Sequence, residues 1–326
     1  MDQSRPPVNA RVREGAGVIE LDRPAALNAL DLTMVRLITR ALEEWRDDPA
    51  VRSVLIRSTS PKAFCAGGDI RAMRDAGVRG DDAAVLEYFS AEYALNALIA
   101  RYPKPYTALI DGYAMGGGLG ISVHGSARVV TERAVLAMPE TAIGFFPDIG
   151  AGYFLPRLPG AVGWYLGLTG LRIDGAAAVE CGLATHYVPA AELPALEEAL
   201  LAGEEPAAAL ARSAGVPPRS ELAGHRAAIE RCFTAPDLDS LRARLAAEDE
   251  DREWADETLA VLRRASPMSL AITFDLLRAG AGSSLEECLA RELALARRTA
   301  HAPDFHEGVR AALIDKDRDP AWSPYP

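Results

Sequence analysis

Apolar positions along this chain alternate between a two-residue and a helical period. Val18-Ile19-Glu20-Leu21 reads as a strand that Arg23-Pro24 breaks. From Leu32 to Trp45 the positions Val35, Ile38 and Leu42 share one helical face, and Asp47-Asp48-Pro49 ends the helix. Val51 to Arg57 is β-rich and leads through Ser58-Thr59-Ser60-Pro61 into a glycine-bearing turn at Ala66 to Asp69. Tyr106 to Ile110 is the next strand, and a helix of small residues starts at Gly116. Ala127 to Thr131 and Ala134 to Ala137 read as short strands joined by Glu132-Arg133. This recurrence of strand, strand and helix predicts an α/β fold of stacked β-β-α turns.

Residues 160 to 180 carry a helical pattern interrupted by glycines, with Gly175 to Val179 a helix capped around Cys181-Gly182. From Ala190 the chain turns rich in Ala, Glu and Leu, with dense charge between Leu241 and Leu262. That shift predicts a core over residues 1–190 and a helical region over 191–326. Within the latter, about 191–265 reads as exposed helices forming a lid or appendage. Ser269 to Ala279 and Leu285 to Arg298 read as further amphipathic helices.

Composition narrows the function classes. With 326 residues, 49% of them hydrophobic, the chain can build a full core. No run approaches the roughly 18–20 apolar residues of a membrane span. The start, Met-Asp-Gln-Ser-Arg-Pro-Pro, has no apolar stretch of a secretory signal. Cys65, Cys181, Cys232 and Cys288 are scattered, with no C-x-x-C pair, which predicts reduced thiols in a cytoplasmic protein and no metal site. A net charge of −11 argues against a nucleic-acid partner. It does not argue against a small phosphorylated ligand, which a local cluster can hold. Among 35 basic side chains only Lys62, Lys104 and Lys316 are lysine. A lysine is a compact point charge suited to phosphate, so Lys62 and Lys316 are candidates for such contacts, and Lys104 reads as a surface residue ahead of a strand.

The richest stretch runs from Ala108 to Asp148. A glycine triplet, Gly116-Gly117-Gly118, follows the apolar strand, and two acids, Glu140 and Asp148, each follow a proline. Glycine permits close backbone approach to a ligand, and free amides at a helix start can hold a developing negative oxygen. A glycine triplet alone is as compatible with a tight turn. Glu92 falls on a stripe with Val85, Phe89, Asn96 and Ile99, so its carboxylate faces apolar neighbours, although Leu95 and Leu98 define a competing face. Ser122 and His124 stand two apart, which on a helix points them different ways. They lie in no G-x-S-x-G turn, so His124 reads as a packed histidine. Cys65 reads as a buried small residue.

Three segments together, Phe64-Cys65-Ala66-Gly67-Gly68-Asp69, Met115-Gly116-Gly117-Gly118 and Met138-Pro139-Glu140, resemble the crotonase (enoyl-CoA hydratase/isomerase) superfamily. The run from Ser122 to Leu158, Glu92-Tyr93-Ala94-Leu95-Asn96, and the tail Asp304-Phe305-His306-Glu307-Gly308 with Leu313-Ile314-Asp315-Lys316 are similar to its 3-hydroxyisobutyryl-CoA hydrolase branch. The likeness covers roughly residues 12–188 and 266–322. It implies an acyl-CoA substrate, no separate cofactor, and an oxyanion hole formed by the amides of Gly68 and Gly117. Ala66, Asp69, Ile70 and Gly116 would line the substrate path beside Lys62 and Lys316. The C-terminal helices would cover the CoA; the superfamily suggests a homo-oligomer, but its hydrolase branch departs from that pattern, which leaves the assembly open.

The acids select the reaction. Hydratases of this superfamily carry one glutamate three residues after the middle glycine, which here is Gly120, and a second at the Met-Pro-Glu position, which here is Glu140. Hydration needs an acid or base on both the water and the carbon, and Gly120 supplies neither, so another acid would have to substitute from elsewhere. The hydrolase pattern keeps Glu140 and adds Asp148 and Glu92. In that pattern Glu140 is the nucleophile or the base for water. Asp148 orients the substrate hydroxyl or the water, or protonates the leaving sulfur, and Glu92 holds the substrate hydroxyl. The resemblance therefore implies hydrolysis of 3-hydroxyisobutyryl-CoA, with 3-hydroxypropionyl-CoA a near neighbour, in valine catabolism. A hydratase or isomerase of the same fold and a catalytically silent acyl-CoA binder are its rivals.

Overall fold

The computed structural model describes residues 6–324. The first five positions of the segment screened for a secretory signal lie outside it. The chain divides into two compact units, each assembled from separated stretches. The first takes in the chain up to Gly68, Ala94–Leu136 and Ile173–Ser220, and the second takes in Asp69–Tyr93, Ala137–Arg172 and the chain from Glu221.

The first unit holds two sheets. Among the described residues ten strands occur in chain order: β1 (Val8–Arg13), β2 (Ala16–Leu21), β3 (Ser53–Ser58), β4 (Ala63–Cys65), β5 (Tyr106–Ile110), β6 (Tyr113–Met115), β7 (Ala127–Val130), β8 (Val135–Ala137), β9 (Ile173–Asp174) and β10 (His186–Tyr187). The larger sheet runs β1-β2-β3-β5-β7-β10 and the smaller β4-β6-β8-β9. The pairs β3/β4, β5/β6 and β7/β8 each send the first strand to the larger sheet and the second to the smaller. This is the repeated turn that the sequence predicts, and the α/β class holds. Strands β2, β3, β5, β7 and β10 pair in parallel, whereas β1 pairs antiparallel to β2.

The helix Leu32–Arg46 forms where its apolar stripe predicts, with the Asp31 carboxylate accepting from the Met34 amide at 2.9 Å as its N-cap. Lys104 is not a free surface lysine. Its half-buried ammonium donates to the carbonyls of Trp45 and Asp48 at the C-terminal end of that helix, where positive charge is favoured.

Two expectations change. Residues 160–180 are not one interrupted helix: Val162–Thr169 and Gly175–Glu180 are helical, but β9 lies between them, fixed by antiparallel pairing of Leu136 with Ile173. Nor are the first helices after residue 190 an exposed appendage. In Leu193–Leu201 and Pro206–Ser213 the side chains of Leu193, Leu196, Leu200, Leu201 and Leu210 are buried with Val18, Leu55, Leu109 and Val129 against the larger sheet. Burying a leucine side chain contributes about 2 kcal/mol, so these helices are part of that unit's core.

The second unit is helical. Its members include Ile70–Val78, Ala151–Phe154, Val162–Thr169, Leu222–Phe233, Arg252–Arg264, Pro267–Gly280, Leu285–Thr299 and Pro303–Val309. Tyr165, Phe233 and Trp254 pack edge-on and tilted in its interior, with ring centroids 5.3–6.4 Å apart. Among the described residues no helix is long and apolar enough to cross a membrane.

Candidate active site

The glycine turns lie in the first unit. Strand β4 ends at Cys65, and the chain reverses through Ala66-Gly67-Gly68. Gly67 has φ 107°, a conformation that suits a residue without Cβ. A Cβ there would sit 3.3 Å from the Met115 carbonyl oxygen and 3.9 Å from the Gly117 nitrogen, so this turn abuts the triplet. Gly118 is tighter still, since a Cβ would fall 2.4 Å from the Cys65 carbonyl oxygen. Gly116 caps the short helix Gly117–Gly120, whose first amides have no partner within the helix. The Gly67 carbonyl accepts from the Leu30 amide at 2.8 Å and the Ala66 amide donates to Leu27 at 3.0 Å, which pins the turn. Gly68 stands opposite Leu30 in an isolated parallel bridge.

The acids lie in the second unit. Glu140 opens the 3-10 turn Glu140–Ile143, which ends at Gly144 in a left-handed conformation. Helix Pro303–Val309 closes over that turn: a Cβ at Gly308 would lie 2.3 Å from the Ile143 carbonyl carbon. The Phe305 ring packs on Phe145 at 5.2 Å. The Asp304 carboxylate accepts from the Ser266 hydroxyl at 2.6 Å, and the Ser266 amide donates to the Thr141 carbonyl at 3.1 Å. The tail motif therefore fixes the element that carries Glu140. Asp148 accepts from the Tyr93 hydroxyl at 2.7 Å. Glu92 and Tyr93 are neighbours on helix Asp82–Ala100, where Val85, Phe89, Glu92, Asn96 and Ile99 are all buried, as are Leu95 and Leu98 of the competing face. One oxygen each of Glu92 and Glu140 is buried without a hydrogen-bond partner.

Three buried carboxylates, Glu92, Glu140 and Asp148, therefore influence one another. Burial, then the Asp148 charge, raises Glu92 well above the usual carboxylate range, and a bond from Tyr88 works against this. Glu140 is raised for the same two reasons in the same order, with Glu92 adding to the effect and its own backbone amide opposing it. Burial lifts Asp148 to about 7, although the Tyr93 hydroxyl and its own backbone amide favour its charged form. A fourth acid, Glu292, is fully buried and is lifted to about 8 by burial, against bonds from the Gly150 and Gly152 amides. Such a group does not ionise as four independent acids. Burial and shared charge thus keep these carboxyls protonated to higher pH than free ones.

The remaining candidates lie on other elements. Asp69 caps helix Ile70–Val78, accepting from the Ala72 amide at 3.4 Å, and Ile70 is its half-buried first residue. Lys62 is exposed in the turn before β4, and Lys316 is exposed with φ 60° in the tail. Ser122 donates to the Gly118 carbonyl at 2.9 Å, and it and His124 follow the helix Gly117–Gly120 in a turn. Cys65 is fully buried with its thiol on the Asn28 carbonyl. Among the described residues no group of His, Cys, Asp or Glu could hold a metal ion. Sequence reasoning missed Tyr93 and Glu292. Yet Glu292 lies on a stripe with Leu285, Cys288, Leu289 and Ala296, the same signal that singles out Glu92.

Comparison with known proteins places these features in context. A family model described as Enoyl-CoA hydratase/isomerase matches residues 16–325. The mitochondrial 3-hydroxyisobutyryl-CoA hydrolase of Xenopus tropicalis is 46% identical over 319 residues, covering 95% of this chain and 82% of that protein. The crystal structure of a carnitinyl-CoA dehydratase from Mycobacterium thermoresistibile matches with a TM-score of 0.93 at 38% identity, covering 98% of this chain and 92% of that one. That of an enoyl-CoA hydratase from Rhodobacter sphaeroides matches with a TM-score of 0.90 at 42% identity, with coverage of 98% and 92%.

Proposed function

Because the chain belongs to the enoyl-CoA hydratase/isomerase family and has its crotonase-like fold, we propose that it is the family's thioester-cleaving variant, hydrolysing 3-hydroxyisobutyryl-CoA to the free hydroxy acid and CoA. The observation that carries this reading is the coupled buried trio Glu92, Glu140 and Asp148, with glycine at the position where the hydratase pattern needs its other acid. 3-Hydroxypropionyl-CoA, which also bears a β-hydroxyl, is the proposed second substrate.

In the proposed reaction the amides of Gly68 and Gly117 hold the thioester oxygen as it gains charge, each donor contributing about 3 kcal/mol. The Glu140 carboxylate attacks the carbonyl carbon, or takes a proton from a water that attacks it. The C–S bond breaks, and the leaving sulfur takes its proton from Asp148, whose carboxyl burial lifts to about 7. In the covalent route water then cleaves the Glu140 anhydride and releases the hydroxy acid. Glu92, with an oxygen free of partners, accepts the substrate's β-hydroxyl. Ala66, Asp69, Ile70 and Gly116 line the substrate path, Lys62 and Lys316 face the CoA phosphates, and no group beyond the substrate's own CoA is required. The setting proposed is valine catabolism. Four buried free thiols suit a reducing compartment such as the cytoplasm. The Xenopus relative is described as mitochondrial, so cell fractionation is the test of location.

The likeness to a carnitinyl-CoA dehydratase and an enoyl-CoA hydratase of known structure favours hydration as the second reading. One experiment separates the two. The protein is incubated with 3-hydroxyisobutyryl-CoA and with crotonyl-CoA, and free thiol and enoyl absorbance are followed. Thiol release from the first supports hydrolysis, and enoyl loss without thiol release overturns it.

A further inference from the structure

Helix Leu285–Thr299 buries Leu285, Cys288, Leu289, Ala296 and Thr299 along one face, and Glu292 stands among them, 0% exposed. A carboxylate so placed is costly unless its oxygens are bonded. Both are: Oε2 accepts from the Gly150 amide at 2.6 Å and Oε1 from the Gly152 amide at 2.9 Å. These amides belong to the turn that directly follows Asp148. Ile149 there has φ 57° and Gly150 has φ 87°, two left-handed residues in succession, the first of them β-branched and fully buried. That conformation is unfavourable for isoleucine and persists only where the surroundings impose it. A Cβ at Gly152 would come 3.2 Å from Glu292 Oε1, so the carboxylate fits closely against the turn.

We propose that Glu292 is a positioning residue for the hydrolysis: its carboxylate clamps the Gly150 and Gly152 amides, and the strained turn it holds presents Asp148 to the reaction. Asp148 is then fixed from two sides, at its carboxylate by the Tyr93 hydroxyl and at its backbone by Glu292. The inference rests on the hydrolase reading for its kinetic consequence but not for the clamp itself. Glu292→Gln is nearly isosteric but exchanges one acceptor oxygen for an NH₂ group, so one glycine amide loses its partner. Glu292→Asp keeps both acceptors and retracts them by one methylene.

Two readouts test this. Hydrogen exchange of the intact protein should show faster exchange in the segment 148–154 of Glu292→Gln, with the rest of the unit unchanged. In the thiol-release assay kcat should fall by about 10- to 100-fold, with KM changed less than about threefold, since a displacement of about 1 Å in a catalytic group has an effect of that size. Glu292→Asp should recover part of the loss. In an Asp148→Asn background the further effect of Glu292→Gln should vanish, because the clamp acts through Asp148. An unchanged exchange rate in 148–154 overturns the clamp, as does uniform loosening of the unit in both variants, which would make Glu292 an ordinary core residue. A full additional loss of kcat in the Asp148→Asn background overturns the positioning role. If the unaltered protein releases no thiol, the hydrolase reading fails, and the exchange arm still decides the clamp.

Discussion

Replacing Asp148 with Asn should make the protein more stable in mildly alkaline solution, by an amount that shrinks steadily toward acid. Burial lifts the Asp148 carboxyl from 3.8 to about 7. The folded state therefore binds a proton more tightly than the unfolded chain. A group raised in this way contributes its stability below the unfolded value and loses it as pH rises through the folded value. The shift of about three units corresponds to about 4 kcal/mol of penalty on the ionised folded form. Linkage over both states places about 2–3 kcal/mol of that penalty between about pH 5 and about pH 8. Asparagine does not ionise, and its carbonyl oxygen can still accept from the Tyr93 hydroxyl, so the variant escapes the penalty without leaving that donor buried and unpaired. Because the Asp148 charge also raises Glu92 and Glu140, its removal eases both and adds to the gain at the alkaline end. Urea unfolding of both proteins at several pH values reads the difference directly, with equal m-values as the control. The variant's advantage should grow as pH rises. An advantage that is flat with pH, or that grows toward acid, would refute the argument that burial of Asp148 in its ionised form strains the fold.

The same coupling sets the reaction's pH profile. Ionised Glu140 is needed for attack and its carboxyl is held up by burial and by Asp148, so the acid limb of kcat/KM should move to lower pH in Asp148→Asn, alongside a lower maximum; an unmoved limb would contradict the coupling. Gly117→Pro removes one amide donor, and single-turnover thiol release should fall by about 100-fold or more while CoA affinity changes little. Equal losses in turnover and affinity would instead assign Gly117 to binding.

Much of this site is visible in the chain, and the reasons differ from residue to residue. Helix Leu32–Arg46 is legible because one apolar stripe and one N-cap agree. Glu92 is legible because an acid stands on a buried stripe, and the same test applied to Glu292 finds it too. What the stripe cannot give is the partner, because the Gly150 and Gly152 amides lie more than a hundred residues away and only the fold brings them to that helix. Strand β9 is invisible, since two residues carry no period and only pairing with β8 makes them a strand. The helices after residue 190 mislead through their alanine and glutamate content, although Leu193, Leu196 and Leu200 keep the spacing of a buried face. Lys104 reads as a surface charge because the helix end that it caps is remote in sequence.

The most direct test of the account compares the unaltered protein with Glu140→Gln on 3-hydroxyisobutyryl-CoA, following free thiol. Rapid release by the first and a loss of about 10²–10⁴-fold in the second, with substrate still bound, is the result predicted for a carboxylate that attacks the thioester or activates water. Thiol release that survives the substitution would contradict the central role given to Glu140.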